Sequence, residues 1–351
     1  MTTNTTHDRK TAALLGLFVA DAVAMPVHWM YDLGQLRADY GTITGYVAPK
    51  DRFRGSIMNL SNTGGGGRGS DEGSVIGDVI NHGKKKYWVR GGDHHYHLGL
   101  AAGENTLEAQ LVRVLLRGVA ARGGDVTVPE LVEDYVAFMT TPGSHRDTYA
   151  ATAHRMFFAN WSRGVDPLAC ADNDGHNTDS IDALTLVVPV VAKHADTMDR
   201  SELHALCVDV VQAIRKSTVL DAFTRAFVDL LAAALLTDDD LREVIEDIGR
   251  TRFGLSVERM VQASGGRDPM VACYIDQSFP AMLHFAWKHA DDFEAAVLAN
   301  ANAGGENVAR GSLLGALLGA RHGLAGFSDW QLDGLHEGDT ITREIRGFLT
   351  A

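Results

Sequence analysis

"SFPAMLHFAWKHADDFEAAVLANANAGGENVARGSLLGALLGARHG" spans Ser278–Gly323. Apolar residues recur at helical spacing over Ala272–Ala290 and again over Val308–His322. Between these runs, Gly304-Gly305-Glu306-Asn307 stands directly in front of the second. The same unit occurs once more, in "AAGENTLEAQ" from Ala101, where Gly103-Glu104-Asn105 precedes another helical pattern. Glu104 and Glu306 lie far apart in the chain (306 − 104 = 202 positions). An acid or amide in the first turn of a helix meets the positive end of its dipole, so each unit reads as an ordinary helix start. The alternative is that folding joins them as two halves of one site.

Working outward, most of the chain reads as helix. "TAALLGLFVADAVAM" (Thr11 to Met25) is apolar nearly all round, as expected of a helix buried in a large core. "NTLEAQLVRVLLRGVAARGG" places Leu107, Leu111, Val114, Leu115 and Val119 on one stripe and stops at Gly123-Gly124. Similar patterns cover Val128–Met139, Ser180–Lys193, Ser201–Arg215 and Leu220–Leu236. Strict period-two alternation is almost absent. These observations predict an all-α, single multi-helix domain over residues 11–351, of roughly a dozen helices, after a flexible tail at 1–10. A long Gly-rich insertion at about 45–103 interrupts it, with "TGGGGRGS" and the cationic "HGKKKYWVRGGDHHYH". Loops of that length in a compact domain are functional or disordered. A second polar stretch, "CADNDGHNTD" (Cys170 to Asp179), runs straight into an apolar segment.

Bulk properties exclude several classes. The formal charge of −13 opposes general affinity for nucleic acid or anionic membranes. Three cysteines, none close together, make neither a disulfide framework nor a zinc knuckle. No unbroken apolar run approaches the roughly 20 residues that span a bilayer, and "MTTNTTHDRK" lacks a signal core. The expectation is a cytoplasmic enzyme or binding protein with a small-molecule partner and neither nucleic-acid nor membrane partners; its oligomeric state is open.

Three segments in consistent order resemble the ADP-ribosylglycohydrolase family. "GLFVADAVAMPVHW" is similar to its opening motif, Gly-Asp-Ala-Leu-Gly-x-Pro-x-Glu, with Asp21 and Pro26 matching. "GENT" stands where the family has Thr-Asp-Asp-Thr. The quoted C-terminal stretch aligns Ser278, Pro280, Phe293, Ala296, Gly304, Gly305, Gly315, Gly319 and Ala320 with the last two helices and their Gly-Gly-Asp-Thr-Asp-Thr loop. "GHNTDSIDA" resembles the mid-chain segment before a core helix. The resemblance runs from about Thr11 to Gly323. It implies an all-α fold whose two acidic loops meet in one cleft, where the family holds two magnesium ions beneath a ribose.

The chain departs from the family at those loops. The first-loop aspartates correspond to Glu104 and Asn105, with Thr106 retained; the last loop corresponds to Glu306, Asn307, Val308 and Ala309. His28 replaces the glutamate of the opening motif. Magnesium needs several oxygen ligands, and Val308 offers none through its side chain. The expected metal set is therefore Glu104, Asn105, Thr106 and Glu306, holding at most one divalent cation (magnesium or manganese), or none. Without metal, two neighbouring glutamates push their pKa values apart and serve an oxocarbenium-like reaction as acid and base, with His28 moving the proton. Helix-start N–H groups beside them offer a place for a pyrophosphate.

The expected catalytic residues are thus Glu104, Glu306 and His28. Asp21, Asn105, Thr106, Gly304, Gly305, Asn307, His95, His97 and Asp179 are expected to bind substrate. Trp88 and Tyr96 could stack on a ring. The function expected is hydrolysis of a ribosyl or ADP-ribosyl glycosidic bond, N- or O-linked, or of a related small polar substrate. The alternative is a non-catalytic homologue that binds an ADP-ribose-like ligand or serves structurally, as lens crystallins resembling this family do.

Overall fold

The computed structural model describes residues 5–53, 75–88 and 93–351. Fifteen α-helices occur among them, and no strands, only isolated bridges. They are α1 (Thr6–Ala24), α2 (Leu33–Tyr40), α3 (Leu107–Arg122), α4 (Val128–Thr140), α5 (Thr152–Ser162), α6 (Val187–His194), α7 (Arg200–Gln212) and α8 (Val219–Leu236). There follow α9 (Leu241–Phe253), α10 (Val257–Ala263), α11 (Ile275–Lys288), α12 (Phe293–Asn302), α13 (Val308–His322), α14 (Asp329–Asp333) and α15 (Gly338–Thr350).

The centre of the domain is the pair α1 and α13. Small residues every fourth position, Ala12, Gly16 and Ala20 on α1 and Gly311, Gly315 and Gly319 on α13, let the two backbones touch. A Cβ added to Gly315 would lie 2.1 Å from the Gly16 carbonyl oxygen, and one on Gly319 would lie 2.3 Å from that of Ala12. Larger side chains would hold helix axes the usual ~8–10 Å apart and leave no such contact. Around this seam α1 is buried on every face from Ala12 to Ala24. It is long and apolar enough to cross a membrane, yet 89% of that window is covered by the rest of the fold. Helices α3, α6 and α15 flank α1, while α8, α11 and α12 flank α13.

Two expectations need correction. Residues 5–10 are not a flexible tail. Thr5 caps α1 by accepting the Asp8 N–H, Arg9 donates to the Thr237 carbonyl at 2.7 Å, and Lys10 pairs with Asp196 at 2.6 Å. Ser180–Lys193 is not one helix either. A 3-10 turn over Ile181–Leu184 precedes α6, which begins two residues before Pro189, because a proline is tolerated only in a first turn. The Gly-rich segment is irregular where it is described, and "TGGGGRGS" lies outside the described residues.

Candidate functional site

The α1–α13 seam fixes where the chain emerges at one end. Beyond α1, Met25–Val27 makes one 3-10 turn and delivers His28 and Trp29, the latter at φ +60°. Trp29 N–H donates to the Gly305 carbonyl and Gly305 N–H to the Met30 carbonyl, both at 2.8 Å, so the turn after α1 is clamped to the turn before α13. Gly304 and Gly305 sit at φ +67° and +66°, and a Cβ there would lie 2.4 Å from Met30 O and 2.5 Å from Val271 O. Only glycine meets both demands. Buried Arg310 donates to Asn300 Oδ1 at 2.7 Å and to the Gly304 carbonyl at 3.2 Å, and stiffens this turn. The other Gly-Glu-Asn turn is held by Asp21, whose carboxylate accepts from Asn105 Nδ2 (2.8 Å), Thr106 N (2.9 Å) and Thr106 Oγ1 (2.7 Å). Complete burial pushes the Asp21 carboxyl up to about 6 against those donors.

Four buried side chains from distant parts of the sequence form one line. Glu306 Oε2 lies 3.0 Å from His28 Nε2, His28 Nδ1 lies 2.6 Å from His97 Nε2, and His97 Nδ1 lies 2.9 Å from Asp147 Oδ1. Its ends are fixed by helix starts: Glu306 Oε1 accepts the Ala309 N–H at 2.9 Å, and Asp147 Oδ2 accepts the Leu107 N–H at 2.8 Å. Three hydrogen bonds need three protons, whereas two neutral imidazoles carry two. The line is complete when it holds one extra proton, shared among Glu306, His28 and His97. Asp147 is the anionic end. Burial would raise its carboxyl, but His97 and the Leu107 N–H outweigh that and hold it at about 2. Burial lowers the pKa of His28, against the pull of Glu306.

This relay lines a narrow crevice, together with Thr106, Trp29, Tyr149, Glu108 and Asp182. Glu108 and Asp182 also line an adjoining small crevice. There His154 Nε2 meets Glu108 Oε1 at 2.8 Å and the Tyr135 hydroxyl meets His154 Nδ1 at 2.7 Å. Arg215 is ion-paired with Asp182. Burial opposes ionisation of Glu108, but His154 and Arg215 win and keep its pKa low. The other Asp182 oxygen, Oδ1, is buried without a partner.

The predicted residues divide accordingly. His28, Glu306, His97 and Thr106 meet at the cleft. Glu104 does not line it: its Oε2 accepts from the Ala101 N–H at 2.8 Å and from Arg146 at 3.0 Å, so the picture of two facing glutamates is replaced by a single glutamate backed by imidazoles. Asp21, Asn105, Gly304, Gly305 and Asn307 shape the two turns rather than the cleft wall; Asn307 Nδ2 donates to Ala301 O at 3.2 Å. His95 is a strut, with Nε2 3.0 Å from Pro26 O and Nδ1 accepting the His97 N–H. Half-buried Asp179 takes the Ser217 hydroxyl, and its neighbour Asp182 reaches the cleft instead. Tyr96 is buried edge-on to Trp29, and Trp88 stacks on Tyr149, so both support the wall from behind. From the cationic motif, Lys84 donates to the carbonyls of His145 and Asp147 and fixes the Asp147 segment. Asp147, Glu108 and Asp182 escaped the sequence reading as site residues; Asp147 sits in "SHRDTY", which has neither periodicity nor motif.

The donor set does not fit magnesium. Glu306 directs one oxygen at an N–H and the other at His28, Glu104 is paired with Arg146, and positions 308 and 309 are Val and Ala. Among the described residues, no group of three or more His, Cys, Asp or Glu is placed to hold a metal ion. Of the N–H groups at the two helix starts, those of Thr106, Leu107 and Ala309 are taken by Asp21, Asp147 and Glu306.

The fold is shared with a solved structure named an ADP-ribosylglycohydrolase-related protein complex, at 18% identity and a TM-score of 0.63 over 98% of each chain. No curated protein matches the chain. The family model for ADP-ribosylglycohydrolase matches residues 2–350. Helical architecture, ordered motifs and a match over nearly the whole length agree: this chain belongs to the ADP-ribosylglycohydrolase family, a family of hydrolases.

Proposed function

We propose that the chain hydrolyses a ribosyl-type glycosidic bond, N- or O-linked, in the cleft lined by Glu306 and His28. The observation that carries this reading is the four-membered relay, a proton store ending at a narrow cleft whose wall is rich in carboxylates. Cleaving an anomeric bond develops positive charge on the sugar, which fixed anionic groups in a poorly solvated cleft stabilise. For a leaving group that needs a proton, Glu306 donates it and is left as the carboxylate. Glu306 then takes a proton from the water that attacks the anomeric carbon, which restores the starting state. His28 and His97 set where the extra proton rests, and Asp147 keeps both rings in line. Thr106 and Tyr149 are placed to contact the sugar.

The test compares turnover of ribosides and ADP-ribosyl compounds by the purified chain and two variants. Glu306→Gln should lose about 10²–10⁴-fold in kcat, the usual share of general acid–base catalysis. Glu104→Gln should stay within about threefold, because its carboxylate faces Arg146 rather than the cleft. Near-normal turnover in Glu306→Gln defeats the reading.

A further inference from the structure

We propose that the cleft takes a cationic N-riboside that carries no phosphate; this rests on the glycosidic-bond reading above and names its substrate class. Four carboxylates line the cleft, Glu108, Asp147, Asp182 and Glu306, and among the described residues no lysine or arginine does. Arg215, behind the wall, pairs with Asp182 and lies 3.7 Å from Glu108, so one guanidinium serves two of the four. His154 sits between Glu108 and Tyr135, with Nε2 2.8 Å from Glu108 Oε1 and Nδ1 2.7 Å from the Tyr135 hydroxyl.

A phosphate group finds no welcome there. At the two helix starts beside the cleft the Leu107 and Ala309 N–H groups are taken by Asp147 and Glu306, and the Arg215 guanidinium is turned to Asp182. A cation finds two attractions. The carboxylates at the wall are of opposite sign. Asp182 Oδ1, lining both cavities, is a buried carboxylate oxygen still without a donor.

The chemistry follows without any co-reactant beyond water. The C1′–N⁺ bond breaks and its electron pair goes to nitrogen, so the leaving group departs neutral and needs no acid. A water oxygen bonds to C1′, and its proton passes to Glu306. The released products are ribose, the neutral base and one proton returned to solvent.

Calorimetry and product analysis on the full chain, with nicotinamide riboside, its 5′-phosphate, inosine and ADP-ribose as probes, test this. Nicotinamide riboside should bind at least about 30-fold tighter than its 5′-phosphate and than ADP-ribose, and about 10-fold tighter than uncharged inosine. Equal or tighter binding of the phosphorylated probes overturns the proposal. The expected ranking without release of ribose upholds the ligand class while the hydrolase reading fails. Hydrolysis of an ADP-ribosyl compound with the riboside ignored does the reverse. In Asp182→Asn, verified as folded by circular dichroism, the preference for nicotinamide riboside over inosine should shrink several-fold; an unchanged ratio overturns the role given to Asp182.

Discussion

Replacing Gly315 by alanine adds one methyl group where the two central backbones meet. Its Cβ would lie 2.1 Å from the Gly16 carbonyl oxygen and 2.7 Å from Ala20 Cβ, whereas ordinary contacts begin at 3.4 Å. Relieving the first clash means parting α1 from α13 by about 1.3 Å along that line, and both obstacles are rigid. Overpacking of this kind costs about 1–3 kcal/mol or more. Alanine in place of a helical glycine returns up to about 1 kcal/mol, so the net expectation is a loss of roughly 1–3 kcal/mol. Gly347→Ala is the control. There, on α15, the nearest atom is Ala120 Cβ of α3 at 3.6 Å, an ordinary contact, and the same substitution should gain about 0.5 kcal/mol. Urea unfolding followed by circular dichroism reads both midpoints. The same parting would carry the 3.0 Å contact between His28 and Glu306 beyond hydrogen-bond reach, so turnover should fall further than the folded fraction. Should Gly315→Ala shift the midpoint in the same direction as Gly347→Ala, the backbone-on-backbone seam is refuted.

Three other outcomes follow from the site. Burial, reinforced by neighbouring His97, lowers the pKa of His95 to about 3, so the folded protein keeps it neutral while the unfolded chain protonates it below about 6.5. Its contribution is full above that pH and is lost as pH falls toward 3. At pH 5 the loss is about 2 kcal/mol, and His95→Gln should flatten this part of the pH–stability curve in denaturant titrations. Gly305→Ala places a Cβ at φ +66° and 2.5 Å from Val271 O; activity should fall at least tenfold, with stability down by about 2 kcal/mol. Magnesium at millimolar concentration should move the thermal midpoint by less than about 1 °C, since binding that the ligand set does not support gives no linkage; a saturable rise would contradict the donor assignment.

The helices were legible because apolar spacing survives in a single sequence: α3, α8 and α13 were placed within a residue or two from periodicity and glycine stops. The two Gly-Glu-Asn turns were legible as a pair, and their closeness to His28 came from the resemblance in motif order. What each side chain faces was not legible. Glu104 and Glu306 occupy equivalent places in the sequence, yet Arg146 takes one and His28 the other, a choice made by residues 42 and 278 positions away. Asp147 lies 50 residues from His97 in an irregular segment, so no periodic pattern marks it. Its position depends on Lys84 and on the exposed amide of α3, which only the assembled fold brings to it.

The seam between α1 and α13 also bears on synthesis. At translation speeds of about 5–20 residues per second, the roughly 300 residues between the two helices take some 15–60 s to emerge. Throughout that interval α1, an apolar rod with no hydrophilic side, has left the ribosome without the surface that finally covers it. Cells that make this protein must shelter that rod, on the ribosome or with a holdase, until the last eighth of the polypeptide arrives.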